Sequence, residues 1–104
     1  MIKELERYNV IEAKTLEMRR GISQVAYSID HSTIVSIRHF DQIITKVRIL
    51  AHRIENNIVP NKTEEYITRL RPKLNKLERL LDNKIMPAVT MEILKGNIDK
   101  PYGS

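Results

Sequence analysis

Apolar residues recur along the first third of the chain in steps of three and four: Leu5, Tyr8, Ile11, Thr15, Met18, Ile22, Val25 and Ile29. That spacing is one face of an α-helix. Gly21 weakens the run, and Asp30-His31-Ser32-Thr33 supplies N-cap candidates, so a break is expected there before a fresh helix. The second helix, over about residues 33–58, carries Ile37, Phe40, Ile44, Val47, Ala51, Ile54 and Ile58 inward, with Ile43 and Leu50 widening the stripe. Asn56-Asn57-Ile58-Val59-Pro60-Asn61 reads as a turn. Asn61 and Glu64 stand at capping-box spacing and predict a new helix start.

Ile67, Leu70, Leu74, Leu77 and Leu81 then form a heptad-like seam. Pro72 lies inside it, which predicts a kink or restart at Arg71-Pro72, because proline removes a backbone donor and crowds the preceding turn. Met86-Pro87 is expected to close this segment. Residues 88–95 predict a short last helix stopped by Gly96, and residues 97–104 a loose tail.

Three stripes with short connections predict an all-α fold, an antiparallel helical hairpin or small helical bundle with a short C-terminal helix and loose tail. One domain over residues 1–104 is expected, with an ordered core of about residues 3–95. A chain of 104 residues buries only a thin core. Flanking apolar positions such as Ile43, Ile49 and Leu50 therefore look poorly covered, and self-association or docking to other protein subunits is expected to bury them.

Cysteine is absent, which excludes disulfides, thiolate metal sites and cysteine nucleophiles and fits a reducing, cytoplasmic setting. The first residues are amphipathic and charged rather than signal-like. No apolar run is long enough to span a bilayer, so no membrane association is expected.

Charge changes the picture more than composition does. The net charge of +5 is unevenly placed: residues 1–30 balance, whereas residues 31–60 set Arg38, Lys46, Arg48 and Arg53 against Asp41 and Glu55. A further excess of three lies in residues 61–104. On a helical wheel Arg38, His39, Gln42, Lys46 and Arg53 fall opposite the stripe centred on Phe40, and Arg69, Lys76 and Arg79 point outward with Lys73 nearby. Such faces suit a phosphate backbone, which Lys and Arg neutralise without reading sequence. The competing reading is an ordinary solvated helix surface. Tyr8, Tyr27, Phe40 and Tyr66 lie on or beside the core stripes, which argues against base-specific recognition of single strands.

Candidate chemistry is sparse. His31, His39 and His52 have no metal-ligand spacing, so no metal site is expected. Arg48 and His52 resemble the Arg-and-His signature of HEPN-type helical ribonucleases, but the gap is one residue short. Residues 22–35 have a helix-turn-helix flavour but lack the customary glycine, with only Arg38 and His39 as readers. Neither spaced carboxylate pairs, a phosphate loop, a serine nucleophile motif nor any cofactor motif occurs, so a non-enzymatic protein without cofactor is expected.

The combination of Ile22-Ser23-Gln24-Val25-Ala26-Tyr27-Ser28-Ile29, Ser32-Thr33 leading to Ile37-Arg38-His39-Phe40, and Leu70-Arg71-Pro72-Lys73-Leu74 resembles the small helical subunits of multi-subunit CRISPR interference complexes. The resemblance covers residues 22–77. It implies a basic, non-catalytic helical bundle present in several copies and touching nucleic acid through Arg and Lys. Arg38, Lys46, Arg53, Arg69, Lys73 and Lys76 would then be the backbone contacts, the same six that the wheel selects. The alternative expectation is a homo-oligomeric adaptor or scaffold of a virus or mobile element with no nucleic-acid role; a small helical immunity or inhibitor protein is a third.

Overall fold

The computed structural model describes residues 2–56 and 60–96. It contains α1 (Lys3–Val25), α2 (His31–Glu55), α3 (Thr63–Leu80) and α4 (Met86–Leu94), with a 3-10 turn at Pro60–Lys62 and a π-helical turn at Leu81–Ile85. No strand occurs among the described residues, and the all-α bundle expected from the pattern is what forms. No helix among them is long and apolar enough to cross a membrane. Ile58, placed in the α2 stripe by periodicity, and the predicted tail over residues 97–104 lie outside the described residues.

The cross-helix pairs fix the topology. Glu12 meets Arg48 and Arg19 meets Asp41, so α1 and α2 run antiparallel. Glu4 meets Arg71, Arg7 meets Glu78 and Lys14 meets Asp82, so the rod from α3 onward runs parallel to α1. The result is up, down, up. The three stripes meet in one core: Ile11 and Met18 from α1, Phe40, Ile44 and Val47 from α2, and Leu70, Leu74, Leu77, Leu81 and Ile85 from the third rod are at most 1% exposed. A smaller cluster of Val25, Ile29 and Val89 closes the far end.

The break after α1 falls where the cap candidates stood. The Asp30 carboxylate accepts a hydrogen bond from the Thr33 amide at 3.1 Å and another from the Ser32 hydroxyl. Hydrogen bonding by the Thr33 side chain, then by its amide and by Ser32, stabilises the ionised form and holds the Asp30 pKa below the usual carboxylate value.

Several expectations are corrected. The Asn61–Glu64 box does not cap α3: Lys62 occupies the N-cap position with no side-chain hydrogen bond, because the 3-10 turn takes Asn61 into its own winding. The helix does not restart at Pro72: α3 runs unbroken from Thr63 to Leu80. The Pro72 ring and the Thr68 carbonyl it leaves without a helical donor lie on an exposed face, where water can satisfy the carbonyl. Met86-Pro87 does not end the rod either. The chain widens into the π turn and continues as α4, with Pro87 in the first turn, where a missing donor costs least. Gly96, at φ 81°, stands beyond the end of α4 where the stop was expected.

Gly21 has a specific reason to be glycine. A Cβ there would lie 2.5 Å from Cγ1 of Val89, so α1 and α4 approach too closely for a methyl group.

Candidate nucleic-acid interface

α2 and α3 run side by side, and along their outer seam lies a cleft of about 360 Å³ lined by Lys46, Ile49, Leu50, Arg53, Arg69 and Lys73. Helical spacing builds it. Lys46, Ile49 and Arg53 succeed one another at steps of three and four on one rim, and Arg69 and Lys73 at a step of four on the other. Four of the six cations selected on the wheel are therefore brought together around one concavity. Lys76 is exposed on α3, three positions beyond Lys73, and Arg38 is exposed on α2, two turns before Lys46; neither lines the cleft.

The four lining cations are not held by carboxylates. Among the described residues no ion pair involves Lys46, Arg53, Arg69 or Lys73, whereas Arg7, Lys14, Arg19, Arg48 and Arg71 each pair with an acid on another helix. Arg53 is positioned differently: its guanidinium carbon lies 5.9 Å from the centroid of the buried Tyr66 ring, a cation–π contact that braces it at the rim. Like charges gathered in a concave site reinforce one another's field and attract polyanions, with a strong dependence on ionic strength.

No family model, curated protein or solved structure matches the chain.

Other sequence candidates resolve as follows. Arg48 is tied to Glu12 at 3.1 Å, and His52, one turn further on, is exposed. That ion pair lies against Tyr8, whose phenol is pushed above its ordinary pKa by burial and by Glu12, with Arg48 opposing. Residues 22–35 form the end of α1, a short turn and the start of α2 in an antiparallel pair rather than a crossing reader helix. Of the flanks expected to be uncovered, Leu50 is buried and Ile43 packs partly against the core, because α3 covers that side of α2. Ile49 alone stays half exposed, at 51%, on the cleft. Tyr27, placed beside the core by periodicity, is fully exposed in the turn after α1, where the helix phase no longer holds. Sequence reasoning treated Ile49 as an uncovered flank and missed it as cleft lining. Its position three after Lys46 and four before Arg53 was the available signal.

Proposed function

We propose that this protein is a non-enzymatic, basic helical subunit that binds the backbone of nucleic acid through the α2–α3 cleft, within a larger cytoplasmic ribonucleoprotein. Its specific form is a small subunit of a CRISPR interference complex, as the sequence resemblance implies. The observation that carries the binding role is the gathering of Lys46, Arg53, Arg69 and Lys73 around one concavity with no carboxylate paired to any of them among the described residues. Neutralising phosphates at these positions releases counterions, and Arg38 and Lys76 extend the contact along the same helices. Positioning is electrostatic, and sequence choice is left to base pairing or to other subunits.

The test is binding of labelled oligonucleotides by fluorescence anisotropy across a salt series. Four to six phosphate contacts give a slope of log affinity against log salt of about −3 to −5. A signal independent of salt, or none at low salt, removes the proposal.

A second reading, a homo-oligomeric adaptor or scaffold, is favoured by Val10 and Leu16 on the outer face of α1 and Met91, Ile93 and Leu94 on α4, all exposed. Light scattering at several concentrations tests it, and a strict monomer counts against it.

A further inference from the structure

We infer that the α2 rim of the α2–α3 cleft holds a seat for one unpaired nucleobase, formed by Ile49 and the guanidinium of Arg53, so that the cleft takes single-stranded rather than duplex nucleic acid. This rests on the nucleic-acid reading of the cleft and adds to it a part that phosphate binding alone does not need.

The charges on the rims account for a polyanion of any kind. They do not account for Ile49. An isolated exposed isoleucine on a protein surface needs no explanation. This one is set in a concavity among four cations, 51% exposed, directly beside Leu50. A ligand that satisfies both parts carries negative charge on its outside and an apolar, flat group that can turn inward.

Arg53 supplies the second surface. Its guanidinium is held over the ring of Tyr66, which is only 6% exposed, while Arg53 itself lines the open cleft. A guanidinium held within cation–π distance of an aromatic ring has lost part of the rotamer freedom that stacking would otherwise cost, and Arg53 still opens on the cleft. Ile49 and Arg53 are four residues apart on α2 and so lie one above the other on the same face. A planar base entering between the rims meets the guanidinium plane and the isoleucine side chain together, while its flanking phosphates fall towards Lys46 on one rim and Arg69 and Lys73 on the other.

A duplex cannot use this seat. Packed helices stand about 8–10 Å apart, and the outer surface a duplex would present to such a cleft is its phosphates, with base edges recessed in the grooves. A single strand can swing a base out of its stack and into the site. No hydrogen-bonding group is required of the base, so the seat is indifferent to sequence.

The test compares three labelled probes of equal length against the full chain at low salt: an oligothymidylate, an abasic oligonucleotide with the same phosphates and no bases, and a duplex. The oligothymidylate binds about 5- to 100-fold more tightly than the abasic strand, the range for one stacked base, and more tightly than the duplex. Arg53→Lys, which keeps the charge and loses the plane, and Ile49→Ala, at an exposed position, each narrow the ratio of oligothymidylate to abasic affinity. Equal affinity for the oligothymidylate and the abasic strand overturns the base seat and leaves the backbone reading standing. So does a preference for the duplex, or a base-dependent preference that both variants retain. No binding of any probe at low salt overturns both.

Discussion

The two kinds of seam in this bundle use the same residue types in opposite ways. Where α1 meets α2 and the third rod, each cation that reaches across finds an acid: Arg7 with Glu78, Lys14 with Asp82, Arg19 with Asp41, Arg48 with Glu12 and Arg71 with Glu4. Where α2 meets α3, four cations face a cleft and none is paired among the described residues. At its far end the α1 side is close-packed, since Gly21 leaves no room for a methyl group against Val89. Charge on the α1 side staples helices together. On the α2–α3 side the same kind of charge has no carboxylate partner among the described residues, at a cost in mutual repulsion that dissolved ions screen and a bound polyanion would relieve.

The largest expected effect is on the open seam. Lys46→Glu combined with Arg69→Glu lowers affinity for a single-stranded oligonucleotide about 100-fold at low salt and flattens the salt slope by about two contacts, while thermal unfolding stays close to wild type because both side chains are exposed. A large loss of stability would show that these charges are structural and would erase the contrast.

Next comes Gly21→Ala. Overpacking against Val89 costs about 1–3 kcal/mol, partly offset by the helix preference of alanine, about 1 kcal/mol. Urea denaturation should show a net loss that Val89→Ala restores, since that change removes the clashing methyl. A gain in the single variant of about 1 kcal/mol, the full helix preference of alanine with no clash against it, would mean that α1 and α4 are less closely apposed.

A smaller effect belongs to one staple. Arg7 bonds both Glu78 and Asn75 across the α1–α3 seam and is partly exposed. Arg7→Ala is expected to cost about 0.5–1 kcal/mol by denaturation, the range for exposed pairs, and to leave nucleic-acid affinity within about twofold. A fall in affinity matching that of the double reversal would show that the seams are not functionally separate.

The smallest effect comes from Asp30. Its pKa is depressed in the folded chain by the Thr33 and Ser32 hydrogen bonds. Its contribution is therefore fully present above the ordinary carboxylate value and is lost as pH falls through the lowered one. Asp30→Asn, which still caps but does not titrate, should lessen the acid sensitivity of the melting temperature. An unchanged acid limb would exclude this cap as a source.

Much of the fold was legible because the core stripes are long and regular. The steps from Leu5 to Met18, from Phe40 to Ile54 and from Ile67 to Leu81 specify their elements and inner faces without knowledge of neighbours. The breaks were harder to read. Pro72 is a strong local stop signal, but its effect depends on whether the orphaned carbonyl faces water, a tertiary fact. The π turn has no periodicity of its own, and the capping-box spacing at Asn61 could not reveal a preceding 3-10 turn. For the site, the wheel identified which cations face away from each core stripe. It could not tell that those of α2 and α3 would share one seam, because this depends on the angle at which two helices pack. Arg38 and Lys76, chosen by the same rule, fall outside the cleft for that reason.

The parallel course of α1 and α3 gives the molecule an electrical axis. Two helix N-termini share one pole, and acidic side chains in their first turns, Glu4 and Glu6 in α1 and Glu64 and Glu65 in α3, complement those partial positive ends. Glu55, at the end of α2, adds another negative charge close to Arg53 along the chain. By the antiparallel topology the Arg53–Arg69 end of the cleft is the one nearer that pole, and its other end runs on towards Lys76 and Arg38. A polyanion in the cleft would therefore meet an uneven field, less positive towards the pole with the acidic first turns.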